Sequence, residues 1–77
     1  ITINGKVGDE ISIIPVSEKL VGVTTKGLSY RLINNTLSFG STRGVSNVMN
    51  KTSAKITVTN GIALITHLRK YDLGEDK

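Results

Sequence analysis

Short apolar runs with alternating polar positions make up most of this chain. The runs are rich in Val, Ile and Thr, and they are separated by Gly, Asn, Asp and Ser. No segment keeps a helical spacing of apolar residues. The pattern predicts an all-β chain. Pro15 places its strand at an edge or a bulge, because proline cannot donate a ladder hydrogen bond. The predicted strands are residues 1–3, 10–16, 20–25, 28–33, 36–39, 45–49, 55–59 and 62–68.

The breaks at Lys26-Gly27, Asn34-Asn35 and Asn60-Gly61 are short enough to close hairpins. A two-residue loop at Asn60-Gly61 pairs residues 56–59 with 62–65 and gives them one apolar and one half-apolar face. The half-apolar face is poorly suited to exposure, so we expect a second subunit or another part of a longer protein to cover it. The apolar face is Ile56, Val58, Ala63 and Ile65, and the half-apolar face is Thr57, Thr59, Ile62 and Leu64.

The composition limits what the chain can be. Its 77 residues suffice for one small domain with a thin core, and the absence of Cys and the single His exclude disulfides, thiolate metal sites and multi-histidine cages. Ile1 is not an initiator Met and the first residues do not form a secretion signal, so we expect a fragment of a longer cytoplasmic protein. We predict a domain over residues 1–70 and a charged tail over 71–77 that frays or lies on the surface.

The charge pattern does not by itself identify a partner. The net charge is +4, but the Lys and Arg residues are scattered, and no stretch approaches the roughly 18 apolar residues of a membrane helix. One alternative is a small basic β-barrel that binds single-stranded nucleic acid, which needs stacked aromatic residues where only Tyr30, Phe39 and Tyr71 are available. A structural or adhesion-type β-sandwich is a second alternative.

The sequence does not favour catalytic residues in this chain. His67 shares a strand face with Ile65, which favours a hydrogen-bonded or rim histidine over a general base. The side chains of the adjacent acids Asp9 and Glu10 diverge in an extended chain, which argues against paired acid and base carboxylates. We therefore predict no catalytic residue and no metal ligand.

Three segments resemble a known family when they are read in order: ISIIPVS, VGVTTKGLSYRL and NNTLSFGSTRGVSN. They are similar to the C-terminal domain of thiamine pyrophosphokinases (thiamine diphosphokinases), and the resemblance covers roughly residues 8–68. It implies a small antiparallel β-sandwich of jelly-roll-like form that binds thiamine. Neither nucleic acid nor a membrane is then an expected partner.

The resemblance also implies what the parent protein does. Enzymes of this family transfer a diphosphate from ATP to thiamine with Mg²⁺, giving thiamine diphosphate, and they are homodimers. Their N-terminal α/β domain holds the nucleotide and the metal, so this fragment binds no cofactor itself. Without that catalytic domain, the chain would position the substrate and would be inactive alone.

Four positions match the thiamine-binding pattern of that family: Tyr30, Gly44, Ser46 and Asn47. An aromatic ring at Tyr30 attracts the thiamine cation, although alternation would place Tyr30 in the core beside Leu28 and Leu32. The Ser46 hydroxyl and Asn47 amide suit an aminopyrimidine edge, or else satisfy local backbone groups as a turn pair.

Gly44, like Gly40, lets its loop approach a ligand or simply breaks a strand. Two positions depart from the family. Val48 stands where many bacterial members have an acidic residue, and Tyr30 replaces an indole that is frequent at its position.

Overall fold

The computed structural model describes residues 1–38 and 45–70, and these residues contain seven strands and no helix. The prediction of an all-β chain is confirmed. Within the same residues there is accordingly no helix able to cross a membrane. The strands are β1 (Thr2–Asn4), β2 (Glu10–Pro15), β3 (Lys19–Lys26), β4 (Asn35–Ser38), β5 (Val45–Val48), β6 (Ser53–Thr57) and β7 (Ala63–Leu68).

Two sheets pack face to face. The larger has the order β1-β6-β3-β4 and the smaller the order β5-β2-β7, and every strand pair is antiparallel. The chain changes sheet between β1 and β2, between β2 and β3, between β4 and β5, and twice more around β6. These crossings define a β-sandwich, as the sequence resemblance implied.

The core lies between the two sheets, where alternate side chains of facing strands meet. Ile11 and Ile13 of β2 and Leu20 and Val23 of β3 are fully buried, and Ile56 of β6 is 2% exposed. In β2 the period of two seen in the sequence sets which side chains face inward, whereas in β3 a register shift between Leu20 and Val23 interrupts it. Met49, Leu28, Leu32, Leu37 and Ala54 complete the buried cluster.

The predicted hairpin at Asn60-Gly61 is wrong. β6 pairs with β1 and β3, whereas β7 pairs with β2 in the other sheet, so residues 60–61 connect two sheets. Gly61 has a φ of 116°, which suits a reversal of the chain between the layers. The inward face predicted from alternation is nevertheless confirmed, since Ile56 is buried and Val58, Ala63 and Ile65 pack against the core.

The predicted strand over residues 28–33 does not form. Side chains accept several of the backbone N–H groups of this segment: Thr25 Oγ1 accepts from Leu32 at 2.9 Å and Asn35 Oδ1 from Ile33 at 2.8 Å. Thr24 Oγ1 accepts from Asn34 at 3.0 Å in the same way. Such side-chain acceptors compete with a β ladder, and here they hold the chain in an irregular path.

Pro15 lies at the end of the central strand of the smaller sheet. It pairs with Ala63 of β7, while the pairing of β2 with β5 covers only residues 10–13. The prediction that this strand lies at an edge or a bulge is wrong, because β2 is the central strand of its sheet. Pro15 is tolerated there because only β7 neighbours it at this end of the strand.

Candidate functional site

Residues 28–30 run along the free edge of β5, which is an outer strand of the smaller sheet. Leu28 forms an isolated bridge with Met49, and the Ser29 N–H donates to the Val48 carbonyl at 2.8 Å. The segment therefore covers the end of an edge strand, and its backbone position is set by contacts to that strand.

The Asn47 side chain holds the next residue of this segment. Its Oδ1 accepts from the Tyr30 N–H at 2.7 Å, and its Nδ2 donates to the Tyr30 carbonyl. Oδ1 also accepts from the Val48 N–H at 3.0 Å. Asn47 is only 4% exposed, and its amide forms hydrogen bonds with the Tyr30 N–H and carbonyl much as the backbone of a neighbouring strand would.

The Tyr30 ring is not part of the core. It is 60% exposed, whereas Leu28 and Leu32 on either side are 5% and 3% exposed. The irregular path of residues 28–33 removes the strict alternation that would have buried all three. The two leucines anchor the segment between the sheets and leave the ring between them accessible to a ligand.

Ser46 is exposed on the outer face of the smaller sheet, while the next residue, Asn47, is buried. Its cross-strand neighbour is Ser12 of β2, which in turn lies opposite Thr66 of β7. Hydroxyl groups thus form a row across this sheet, and Asn47 links the start of that row to the backbone of Tyr30.

The predicted site residues are thus partly brought together. The Tyr30 backbone is bonded to the Asn47 side chain, and Ser46 precedes Asn47 in β5 but faces the other side of the sheet. Three hollows in the described part of the chain have linings that include none of these three residues. Gly44 lies outside the described residues, as do Gly40 and the predicted tail 71–77.

A second polar cluster, which the sequence did not indicate, surrounds Asp9. Its side chain is buried at 1% exposure; Oδ1 accepts from the Lys70 N–H at 2.8 Å and Oδ2 from the Lys6 N–H at 3.0 Å. His67 Nε2 lies 2.7 Å from Oδ2. The Lys70 backbone N–H, then His67 and the Lys6 N–H, lower the pKa of Asp9 from 3.8 to about 2.

The prediction that His67 is a hydrogen-bonded residue is confirmed by this contact. Asp9 and His67 are 58 positions apart in sequence, so neither local spacing nor composition could have paired them. The cluster joins the loop before β2 to the end of β7 and closes one end of the smaller sheet.

Mg²⁺ prefers carboxylate, phosphate and water oxygens as its ligands. No three His, Asp or Glu side chains of residues 1–38 and 45–70 come together in a way that could hold a metal ion. The Asp9 carboxylate is already occupied by two backbone N–H groups and His67.

The fold and this strand edge define a small two-sheet β-domain that presents an exposed aromatic ring on a backbone held by a buried amide. A family model described as the vitamin B1 binding domain of thiamin pyrophosphokinase matches residues 1–63. The chain belongs to this family and is a thiamine-binding domain.

Solved structures agree with the assignment. Thiamin pyrophosphokinase from Geobacillus thermodenitrificans is 30% identical over 91% of this chain, with a TM-score of 0.83. The enzyme from Bacillus subtilis is 26% identical over 92% of the chain, with a TM-score of 0.79. The chain spans about a third of each, 33% and 34%. A search of curated proteins finds no match.

Nothing in these comparisons favours a barrel that binds nucleic acid. Among the three aromatic residues considered for stacking, only Tyr30 lies in the described residues, and it lies at the edge of a sandwich. Phe39 and Tyr71 are outside the described ranges.

Proposed function

We propose that this chain positions thiamine for ATP-dependent diphosphate transfer, giving thiamine diphosphate, as part of a longer thiamine diphosphokinase. The observation that carries the proposal is the exposed Tyr30 ring on a segment that the buried Asn47 amide fixes. Holding the attacking hydroxyl in line with the phosphoryl group is a large part of catalysis in such transfers. A chain that only binds and orients can therefore contribute strongly to the rate.

Tyr30 attracts the cationic ring of thiamine in this account. A cation over an aromatic face gains about 0.5–2 kcal/mol, with the larger values where water is excluded. Because the ring is 60% exposed in this chain, a ligand and a covering surface can both reach it. The phenol replaces the indole frequent in the family, and its hydroxyl adds a hydrogen-bonding group at the ring edge.

Ser46 supplies a neutral hydroxyl, which can donate to and accept from an aminopyrimidine without the desolvation cost of a charge. Its exposure on the outer face of β5 leaves the hydroxyl accessible. Gly44, two residues earlier, belongs to the proposed site by resemblance to the family.

Asn47 acts on thiamine through Tyr30 in this proposal. Both polar atoms of its amide already bond the Tyr30 backbone, and the residue is 4% exposed. A direct bond to thiamine would require those contacts to break. We therefore assign Asn47 as a positioning residue for the ring instead of a ligand of the vitamin.

The transfer itself belongs to other parts of the parent protein. ATP and Mg²⁺ would be bound there, since the carboxylates of the described residues do not form a metal site. We expect the 77-residue chain alone to show no turnover and at most weak thiamine binding. Detectable diphosphate transfer by the purified chain would contradict this division of labour.

We also propose that the protein forms a homodimer that covers the outer face of the smaller sheet. This face carries apolar side chains: Val48 is 39%, Leu64 52% and Leu68 63% exposed. The outer face of β3 and β6 carries one exposed apolar side chain, Val21, beside the polar residues Thr24, Lys26, Thr57 and Lys55. Exposed apolar side chains beside the row of hydroxyl groups on the smaller sheet are typical of a self-association surface.

Thiamine titration of the full-length parent protein tests the proposed site. Tyr30→Ala should weaken thiamine binding about two- to thirtyfold, the equivalent of the cation–aromatic term. Ser29→Ala, which removes an exposed side chain from the same segment, serves as the control and should bind as the unmodified protein does. Equal affinities for all three proteins would reject Tyr30 as a thiamine contact.

A further inference from the structure

Two Asn-Gly pairs occur in this chain, Asn4-Gly5 and Asn60-Gly61. This dipeptide is especially prone to spontaneous deamidation, because glycine lacks the Cβ that would shield its backbone nitrogen from the preceding side-chain amide. Both asparagine side chains are exposed, and neither forms a hydrogen bond within the described part of the chain. Exposure alone therefore does not distinguish the two pairs.

The backbone nitrogen of the glycine differs between the two pairs. The Gly5 N–H donates to the Thr52 carbonyl at 2.9 Å, in the contact between the end of β1 and the residue before β6. Among the described residues, the Gly61 N–H has no acceptor. This nitrogen must lose its proton to attack the asparagine side chain, and it does so more readily when no hydrogen bond holds that proton.

The backbone of Asn60 is held while its side chain remains free. Its carbonyl accepts from the Val21 N–H at 2.8 Å, and its N–H donates to the Val21 carbonyl at 3.2 Å. These bonds tie the connection between β6 and β7 to β3. The bond to the Asn60 carbonyl also polarises the peptide group that follows, which makes the Gly61 N–H more acidic.

The fold requires glycine at position 61. Its φ is 116°, a conformation that side chains rarely allow, and an added Cβ would collide with the Lys19 carbonyl oxygen. A larger residue would shield the backbone nitrogen but would not fit this connection. The reactive pair is thus a consequence of how the chain passes from one sheet to the other.

We propose that Asn60 is a site of spontaneous deamidation in the folded protein. The Gly61 nitrogen attacks the side-chain carbonyl carbon of Asn60, and the new C–N bond closes a cyclic succinimide. The side-chain amide nitrogen leaves as ammonia, taking the proton that Gly61 loses. Water then opens the ring. Opening at the side-chain carbonyl gives aspartate, and opening at the backbone carbonyl gives isoaspartate, in which the main chain runs through the former side chain.

Both products add a carboxylate where the chain has a neutral amide, and isoaspartate also inserts a methylene group into the main chain. The added length falls between the pairing of residue 60 with Val21 and the close approach of Gly61 to Lys19. At least one of these contacts must shift, so isoaspartate loosens the connection between the sheets. The modification therefore marks aged molecules and lowers their stability.

The test uses the full-length parent protein, incubated at mildly alkaline pH in the folded state and, in parallel, unfolded in urea. Peptide mapping by mass spectrometry follows the conversion of amide to acid at both Asn-Gly pairs. We expect Asn60 to react in the folded protein at close to its unfolded rate. Asn4 should react about two- to tenfold slower folded than unfolded, the equivalent of one net hydrogen bond on its glycine nitrogen.

Asn60→Ser is the test variant, and Asn4→Ser, at the other exposed asparagine, is the matched control. Urea unfolding before and after incubation should show a loss of stability in the unmodified protein and in Asn4→Ser, but little loss in Asn60→Ser. An isoaspartate-specific methyltransferase should label the aged Asn60→Ser variant least. Folding that slows Asn60 as strongly as Asn4, or an equal loss of stability on ageing in all three proteins, would overturn the proposal.

Discussion

The Asn47 side chain pairs with both the N–H and the carbonyl of Tyr30, a residue 17 positions earlier in the chain. The pairing lets a single buried amide take the place of a strand neighbour along the edge of β5. It keeps the Tyr30 backbone fixed while its ring stays exposed. The local geometry thus separates the two tasks of a binding residue, since the main chain is held and the side chain is free to contact a ligand.

Removing this amide should destabilise the domain. Asn47→Ala leaves partly buried backbone groups of Tyr30 without their partners, and we expect a loss of about 2 kcal/mol in the free energy of unfolding, measured by urea denaturation. Asn35→Ala removes an exposed amide oxygen that accepts one backbone N–H at 2.8 Å, and should cost less than about 1 kcal/mol. Similar losses of unfolding free energy in the two variants would show that the Asn47 contacts stabilise the domain no more than the Asn35 contact does.

A double-mutant cycle tests whether Asn47 acts through the Tyr30 ring. Asn47→Ala and Tyr30→Ala should each raise the KM for thiamine in the full-length enzyme, and the double variant should be little worse than Tyr30→Ala alone. Once the ring is removed, fixing the Tyr30 backbone no longer affects the KM for thiamine. Fully additive effects on KM would indicate that Asn47 contacts thiamine independently.

The Asp9 cluster predicts a dependence of stability on acid pH. The folded-state pKa of Asp9 is about 2, below its ordinary 3.8, because hydrogen bonds from the Lys70 N–H, His67 and the Lys6 N–H stabilise the carboxylate in the native state. The stabilisation is therefore complete above pH 3.8 and is lost as the pH falls through about 2. Urea unfolding between pH 6 and about pH 2 should show this loss.

Asp9→Asn should remove this part of the pH dependence, so that its stability difference from the unmodified chain shrinks as the pH falls. Glu18→Gln, at an exposed carboxylate, is the control and should keep the slope of the unmodified chain. An unchanged slope in Asp9→Asn would mean that the cluster does not control acid stability.

Gly27, at the start of the segment that carries Tyr30, should not tolerate a side chain. Its φ is 81°, and an added Cβ would lie 2.3 Å from the Ser53 carbonyl oxygen. We expect Gly27→Ala to reduce the free energy of unfolding by at least about 2 kcal/mol. Gly8 also has a positive φ, 101°, but a Cβ there meets the flexible Lys70 side chain, so Gly8→Ala should cost about 1 kcal/mol. Thermal or urea unfolding of both variants checks this order, and a smaller loss in Gly27→Ala would contradict it.

The sequence predicts which side chains face the core better than it predicts which strands pair with each other. Alternation correctly placed Ile56 and Ile65 on the inward side, because a period of two decides which face a residue occupies. It could not show that their strands belong to different sheets. Strand pairing depends on contacts between distant parts of the chain, and Asn60-Gly61 reverses the chain equally well within a sheet or between two.

The site residues were predicted by resemblance to the family, and their contact with thiamine stays a prediction. The resemblance pointed to Tyr30, Gly44, Ser46 and Asn47, and it left open whether Asn47 contacts thiamine or satisfies local backbone groups. The buried pairing of Asn47 with Tyr30 favours the second interpretation for that residue. The irregular path of residues 28–33 depends on acceptors such as Thr25 and Asn35, which no periodic pattern reveals.

Steady-state kinetics of the full-length enzyme give the most direct test of thiamine positioning by this domain. Tyr30→Ala should raise the KM for thiamine about two- to thirtyfold and Ser46→Ala about two- to tenfold, with the KM for ATP nearly unchanged. Ser53→Ala, at another exposed strand serine, is the control for Ser46 and should leave both constants unaltered. A raised KM for ATP with an unaltered KM for thiamine would contradict the account.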